Sequence, residues 1–165
     1  MDLHRLIRTD GPWLHALIAK PADLSQQVRD WEQKSAGMLV ARLVRGRKAA
    51  TAAALFDECA AALQFPLYFG ENWDALSDCL GDLDWLNAEA VVLVVADAAH
   101  LLTKGSTEEL KRLFGILEAA ATHWRQPNGH GKPKTYHVVL HAVPAEAAEL
   151  RARCSAAGVH PDGLA

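Results

Sequence analysis

The heptapeptide AVVLVVA, residues 90–96, is an unbroken run of apolar residues, most of them β-branched. A strand with one face in water alternates apolar and polar residues, and this run does not alternate. The run therefore predicts a strand that is covered on both faces, as strands are in a parallel sheet.

Two further strands are predicted on either side of this run, at residues 38–44 (MLVARLV) and 136–143 (YHVVLHAV). Helical periodicity predicts helices at 22–34, 51–63, 71–80, 106–124 and 144–156, and a Gly/Pro-rich loop is predicted at 127–134. Ser106 and Glu109 have the spacing of a capping box at the start of the fourth helix. Strands that alternate with helices predict an α/β fold with a three-stranded parallel sheet.

The length of 165 residues suits one domain with additional segments. We assign residues 37–143 to the central domain, residues 1–36 to an N-terminal extension, and residues 144–165 to a C-terminal helix and tail. The extension contains Trp13 and Trp31. We expect its helix to cover an edge of the sheet, and a second contact surface is the alternative.

No segment reaches the roughly 18 consecutive apolar residues that span a bilayer, and the first ten residues lack a signal-peptide core. We therefore expect a cytoplasmic protein that does not contact a membrane. Cys59, Cys79 and Cys154 have no metal-binding spacing, so we expect them to be buried apolar residues. His137 and His141 lie on one face of a predicted strand, roughly 13 Å apart, which is too far to share a metal ion.

The net charge of −3 hides a strong segregation of charge along the chain. Residues 49–103 contain nine acidic residues and no lysine or arginine, whereas the rest of the chain carries 17 basic and 11 acidic residues. A negative region of this kind attracts a positively charged partner. It repels phosphates, so we do not expect this surface to bind nucleic acid.

The predicted helix at 71–80 places several of these acids on one face. Asp74, Asp78 and Asp82 are four residues apart, and Glu71 precedes Asp74 by three. Like charges at this spacing destabilise a helix by roughly 0.2–0.5 kcal/mol per pair. Three interpretations remain: a solvated acidic face, a surface for a basic partner, and a divalent-metal site of a hydrolase. Two observations count against the metal site. The acids lie on a regular helix and not in a calcium-binding loop, and the sequence has no histidine between residues 65 and 99.

The segment FPLYFGENWDALSDCL, residues 65–80, contains an aromatic pair followed by Gly-Glu-Asn, Asp-Ala-Leu and Asp-Cys-Leu. In this order it resembles the signature of the barstar family, the intracellular inhibitors of barnase-type ribonucleases. The predicted order of strands and helices also agrees with this family over about residues 37–143. The resemblance implies a barstar-like α/β fold in which the aromatic loop and the following helix enter the active site of the nuclease.

The resemblance also implies a role for individual residues of this chain. Tyr68 would pack against the enzyme, and Gly70 would let the loop backbone approach it closely. Asp74 would pair with a cationic side chain, and Asp78 would occupy the position of a substrate phosphate. The long helix of the family contributes a glutamate, for which Glu118 is the best match. The implied partner-binding residues are Tyr68, Phe69, Gly70, Glu71, Asn72, Asp74, Ser77, Asp78, Gly81, Asp82 and Glu118.

The sequence departs from the family pattern at two places on this surface. Ser77 stands where the best-known member has a large aromatic residue, and Gly81-Asp82 replaces a small polar residue followed by glycine. We therefore expect an inhibitor with its own target, a basic ribonuclease or related toxin. We expect a monomer in a 1:1 complex, without catalytic activity, cofactor or metal. The alternative is a binding domain of the same fold that recognises a basic partner other than a nuclease.

Overall fold

The computed structural model describes residues 1–126 and 134–164, which form a parallel sheet with helices on both faces. The strands are β1 (Leu14–Ile18), β2 (Leu39–Arg45), β3 (Ala90–Ala96) and β4 (Thr135–Ala142). The helices are α1 (Pro21–Lys34), α2 (Ala52–Leu63), α3 (Trp73–Asp82), α4 (Thr107–Arg125) and α5 (Ala147–Ala156). Among the described helices, none is both long enough and apolar enough to cross a membrane.

Strand β3 lies in the middle of the sheet, as its apolar sequence predicts. The strand order is β1-β4-β3-β2, and every neighbouring pair is parallel. Val91 and Val95 pack into the layer that contains α2, α3, α4 and α5. Val92 and Val94 pack into the opposite layer, which contains α1. Burial of both faces explains why the sequence of β3 contains no polar residue.

Within the described residues the sheet has four strands, so the prediction of three strands was wrong. The additional strand, β1, lies within residues 1–36 and pairs with β4, with Leu14 opposite Val138. On its other side Ala16 N–H donates to Asp162 O at 2.7 Å, and Asp162 N–H donates to Leu14 O at 3.0 Å. A five-residue strand depends on these distant backbone partners, which local periodicity does not reveal.

The other predicted strands and helices are present, with small shifts at their ends. Helix α3 begins at Trp73, two residues later than predicted, and α5 begins at Ala147 after a short 3₁₀ turn. The capping box of α4 is confirmed, since Ser106 N–H donates to Glu109 Oε2 at 2.8 Å and Glu109 N–H donates to Ser106 Oγ at 3.2 Å. Residues 127–133 of the predicted Gly/Pro-rich loop lie outside the described part of the chain.

The three cysteines are free and buried, as predicted. Burial raises the pKa of the Cys59 thiol to about 12 and that of Cys154 to about 11. Both thiols are therefore protonated at neutral pH and behave as small apolar groups.

Three histidines are also buried in the sheet. His15 of β1 and His137 of β4 are hydrogen-bonded to each other, with 3.0 Å between His15 Nε2 and His137 Nδ1. The third, His141, lies 3.0 Å from Ala19 O through Nε2 and accepts from Asp97 N–H through Nδ1. Burial lowers the pKa of His137 to about 4 and also lowers the pKa of His15.

The lowered pKa values of His15 and His137 predict a loss of stability in mild acid. In the unfolded chain a histidine titrates near pH 6.5, so the unfolded state binds more protons between about pH 6.5 and 4. The free energy of unfolding is therefore highest above pH 6.5 and falls as the pH falls toward 4. Between pH 7 and pH 5 the wild type should lose about 2 kcal/mol more unfolding free energy than His137→Gln, measured by urea denaturation.

The matched control is His160→Gln, because His160 is exposed. It should show the same pH dependence as the wild type. Equal losses for the wild type and His137→Gln would contradict the prediction.

Candidate functional site

The loop between α2 and α3 presents two apolar side chains to solvent. Leu67 is fully exposed, and Tyr68 is 76% exposed. Phe69 turns inward and packs edge-on against Phe65, with 4.9 Å between ring centroids, and against Phe56. Phe69 therefore holds the loop in place while Leu67 and Tyr68 are available for contact. Leu67 was not predicted, because an apolar residue in a sequence gives no sign of its exposure.

Asn72 joins the loop to α3. Its side-chain Oδ1 accepts from Ala75 N–H at 2.8 Å and caps the helix, while its Nδ2 donates to Gly70 O at 3.1 Å. Glu71 has a φ of 51°, a left-handed conformation that non-glycine residues rarely adopt. Glu71 thus belongs to the loop and not to the helix. Conformational strain of this kind is concentrated at functional sites.

The three aspartates predicted to share a face do so on α3. Asp74, Asp78 and Asp82 are exposed on successive turns, while Leu76 and Leu80 of the same helix are buried. We call loop residues 67–72 together with these three aspartates the acidic surface. It contains the predicted partner-binding residues except Ser77, Gly81 and Glu118, and Ser77 and Gly81 lie between its aspartates on α3.

Some acidic residues of the 49–103 segment form ion pairs with arginine, and others do not. Glu58 pairs with Arg45, and Asp97 pairs with Arg47, both away from α3. Within the described residues, no lysine or arginine forms an ion pair with Asp78 or Asp82. These two carboxylates therefore contribute an unbalanced negative charge at the surface.

Asp74 differs from the other two aspartates because α4 supplies a cation next to it. Arg112 Nη2 lies 3.4 Å from Asp74 Oδ1, and the Arg112 guanidinium stands 5.7 Å from the centre of the Trp73 ring. The Asp74 side chain is 93% exposed, so water screens this ion pair strongly. This ion pair depends on the packing of α3 on α4, so the sequence alone could not predict it.

A groove of about 530 Å³ runs beside the acidic surface, between α3 and α4. Small residues form much of its wall, and Asp78, Asp82 and Asp84 add carboxylates. Trp124 lines the groove and joins the two helices, since its Nε1 donates to Leu80 O at 3.0 Å. The small residues at the wall are Ser77, Gly81, Ala119 and Ala120.

The sequence analysis predicted four of the lining residues, and among those it missed are His123 of α4 and Lys134, which precedes β4. Lys134 Nζ lies 3.9 Å from Asp84 Oδ1. Glu118 is exposed on α4 but does not line the groove. Sequence spacing could not identify the lining residues of α4, because the rotation of that helix is set by its packing on β4 and α3.

The chemistry of this surface favours binding of cationic groups. Cys79 lies beneath it and is buried, and this burial raises the pKa of its thiol, so it is not an activated nucleophile. In the described part of the chain, no three histidine, cysteine or acidic residues are close enough to hold a metal ion. Exposed carboxylates on a rigid helix are suited to ion pairs with arginine or lysine of another protein.

Comparison with known proteins gives one family and one fold. The sequence model of the family described as Barstar (barnase inhibitor) matches residues 39–149. No curated protein matches the chain.

Among solved structures, the chain is similar to the Aeropyrum pernix ORC2 protein in its ADPNP-ADP complexes, with a TM-score of 0.62 and 14% identity over 97% of this chain and 42% of that chain. The ADP form of that protein gives a TM-score of 0.57 and 12% identity over 90% of this chain and 40% of that chain. The chain thus spans about two-fifths of the length of these structures. At such identities the similarity concerns the α/β fold alone.

The two hydrogen bonds of Asn72 give a prediction about the rigidity of this surface. Asn72→Ala removes the cap of α3 and should lower the free energy of unfolding by about 1 kcal/mol in urea denaturation. Asn72→Asp keeps the capping oxygen and loses only the bond to Gly70 O, so it should cost clearly less. If both variants unfold like the wild type, the cap does not stabilise α3.

Proposed function

Because this chain belongs to the Barstar (barnase inhibitor) family, we propose that it inhibits a ribonuclease by plugging the basic active site of that enzyme with the acidic surface. The observation that carries the proposal is the pair Asp78 and Asp82, which are exposed on α3 without a cationic partner among the described residues. A ribonuclease binds phosphate with cationic side chains, and a fixed carboxylate imitates that anion.

The family resemblance supports a role for each part of the surface. Asp78 takes the position of a substrate phosphate, and Asp74 pairs with a second cation of the enzyme. Tyr68 packs against the rim of the active site, and Gly70 allows close approach of the loop backbone. Phe69 and Asn72 keep this loop in one conformation, so less entropy is lost on binding.

The proposed mode of action is binding without catalysis, cofactor or metal. A monomer in the cytoplasm forms a 1:1 complex with a basic ribonuclease or related toxin. The unbalanced carboxylates attract this partner over a distance, so association is fast at low salt and slower at high salt. The same charge repels nucleic acid, which leaves the protein partner as the ligand.

A second candidate is a non-nuclease basic partner, and the groove favours it. Ser77 stands where the best-known family member has a large aromatic residue, and Gly81 beside it is also small, so the groove admits a bulky side chain from a different partner. The ORC2 protein of similar fold was solved in ADPNP-ADP complexes and in an ADP form, but nucleotide binding does not follow for this chain. The sequence has no Gly-rich phosphate-binding loop after a strand.

The first test of function uses Asp78→Asn, which removes the charge and keeps the shape. Purified chain should inhibit RNA cleavage by barnase or by a ribonuclease encoded next to its gene, and calorimetry should give one site. Asp78→Asn should weaken binding on the order of a hundredfold or more, which corresponds to about 3 kcal/mol, because a desolvated cation of the enzyme is left unpaired.

The matched control is Asp57→Asn on α2, whose side chain is exposed and away from α3. It should bind like the wild type, and both variants should keep the wild-type unfolding midpoint. Failure to inhibit any of these ribonucleases would contradict the inhibitor function. Loss of a non-nuclease basic partner on Asp78→Asn would then support the second candidate.

The ion pair between Arg112 and Asp74 gives a prediction about association rate. Arg112→Ala makes the acidic surface more negative and releases Asp74, so the rate constant for association with the ribonuclease should rise about two- to fivefold in low-salt stopped flow. Lys111→Ala is the control, because it changes the net charge equally but its amine pairs with Glu108. A slower association of Arg112→Ala than of Lys111→Ala would show that Arg112 itself contacts the partner.

A further inference from the structure

A second pocket, of about 300 Å³, lies on the other face of the sheet from the acidic surface. His15 stands opposite Val139 in the ladder, and Val139 belongs to the apolar layer under α1, whereas α3 and α4 pack on the other layer. The N-terminal segment, the start of β1 and the C-terminal tail build this pocket. Its charged lining residues are Arg5, Arg8, Asp10 and Asp162, and His15 forms its inner end. All lie outside residues 39–149.

The hydrogen bonds around His137 determine which nitrogen of His15 carries a proton. His137 Nε2 lies 3.1 Å from Arg8 O, and a carbonyl only accepts, so this nitrogen is the donor. Burial lowers the pKa of His137 to about 4 and keeps the ring neutral, so its Nδ1 accepts from His15 Nε2 at 3.0 Å. Burial also lowers the pKa of His15 and keeps this ring neutral, so its one ring proton is on Nε2 and its Nδ1 presents a lone pair.

This lone pair faces a second acceptor across the pocket. His15 is 1% exposed, and its Nδ1 has no hydrogen-bond partner among the described residues. It lies 3.7 Å from Asp162 Oδ2, which is too long for a direct hydrogen bond. His15 Nδ1 and Asp162 Oδ2 are both acceptors, so a group that satisfies both must carry at least two donor hydrogens. The pocket is much larger than a single water needs.

The other side of the pocket supplies donors. Arg5 Nη1 donates to Asp162 Oδ2 at 2.7 Å, and Arg8 donates to both oxygens of Asp10, through Nε to Oδ1 at 2.9 Å and through Nη2 to Oδ2 at 2.5 Å. Asp10 occupies the Nε/Nη2 fork of Arg8, and each guanidinium has five N–H donors, so the remaining N–H groups of Arg5 and Arg8 leave capacity for an anionic group. The two arginines and two aspartates balance in charge, so a simple cation or anion would match only half of the lining.

We propose that this pocket binds a free α-amino acid as its zwitterion. The ammonium group donates to His15 Nδ1 and to the Asp162 carboxylate, and the carboxylate of the ligand accepts from Arg5 and Arg8. The side chain of the ligand lies toward the Gly11-Pro12 turn, which lines the same pocket. The Gly11 carbonyl also accepts from Arg125 Nη2 of α4 at 2.9 Å, so this turn is joined to the helix that lines the groove on the other face.

The test uses the full chain and the twenty free L-amino acids as probes. Saturation-transfer NMR of pooled amino acids identifies a binder, and calorimetry measures its affinity. The deaminated acid and the decarboxylated amine of that binder should each bind at least tenfold more weakly, because each lacks one charged group. Binding should also shift the ¹⁵N resonance of His15 Nδ1, since this nitrogen gains a hydrogen bond.

Two variants separate the pocket from the rest of the protein. Asp162→Asn keeps the backbone pairing of the tail and should weaken amino-acid binding about tenfold or more. Asp57→Asn on α2 is the charge-matched control and should bind the amino acid like the wild type. Ribonuclease binding should be unchanged in Asp162→Asn, so this inference and the proposed inhibitor function can fail separately.

Several results would overturn the proposal. They include no binding by any of the twenty amino acids, equal affinity for the zwitterion and its two analogues, or unchanged affinity in Asp162→Asn. A shift of His15 Nδ1 with Zn²⁺ and with none of the amino acids would show a metal site instead. An Nδ1 resonance that responds to none of these probes would show that water alone fills the gap between His15 and Asp162.

Discussion

Burial of β3 on both faces is the constraint on which the rest of this structure depends. Its residues pair with β2 on one side and β4 on the other, and its valines point alternately into two separate apolar layers. A strand of this kind is stable only when helices cover both faces of the sheet. Helix α1 covers one face, and α2 to α5 cover the other. This arrangement places α3 and α4 side by side and leaves their outer faces free to carry charge.

The unpaired negative charge of this protein is concentrated on one surface. Glu58 and Asp97 are paired with arginines at the end of β2 and just after it, whereas Asp78 and Asp82 have no such partner in the described chain. Repulsion along α3 lowers the stability of the helix, so the fold itself does not require this pattern. The loop that precedes α3 is held by Phe69 and Asn72, which makes the charged surface rigid as well as negative. Rigidity and unbalanced charge together are what a surface needs to bind a cationic active site.

The two ends of the chain complete the sheet at the edge opposite β2. Strand β1 lies between β4 and the C-terminal tail, and it forms backbone hydrogen bonds with both. The same arrangement brings His15, His137 and Asp162 together, although 122 residues separate the two histidines in sequence. The chain therefore has two chemically different surfaces on opposite faces of one sheet. One lies within the part matched by the family, and the other is built mainly by the segments outside it.

The sequence by itself determined the central strands, the main helices and the acidic segment with its family signature. These features are written in local patterns: the apolar run of residues 90–96, helical periodicity, and carboxylates four residues apart. Only the tertiary structure decided the fourth strand, the exposure of Leu67, the left-handed backbone at Glu71, the ion pair of Arg112 with Asp74, and the hydrogen bond between His15 and His137. Each of these depends on packing, and mostly on residues far apart in the chain, whose approach follows from burial of the common core and has no trace in the local sequence.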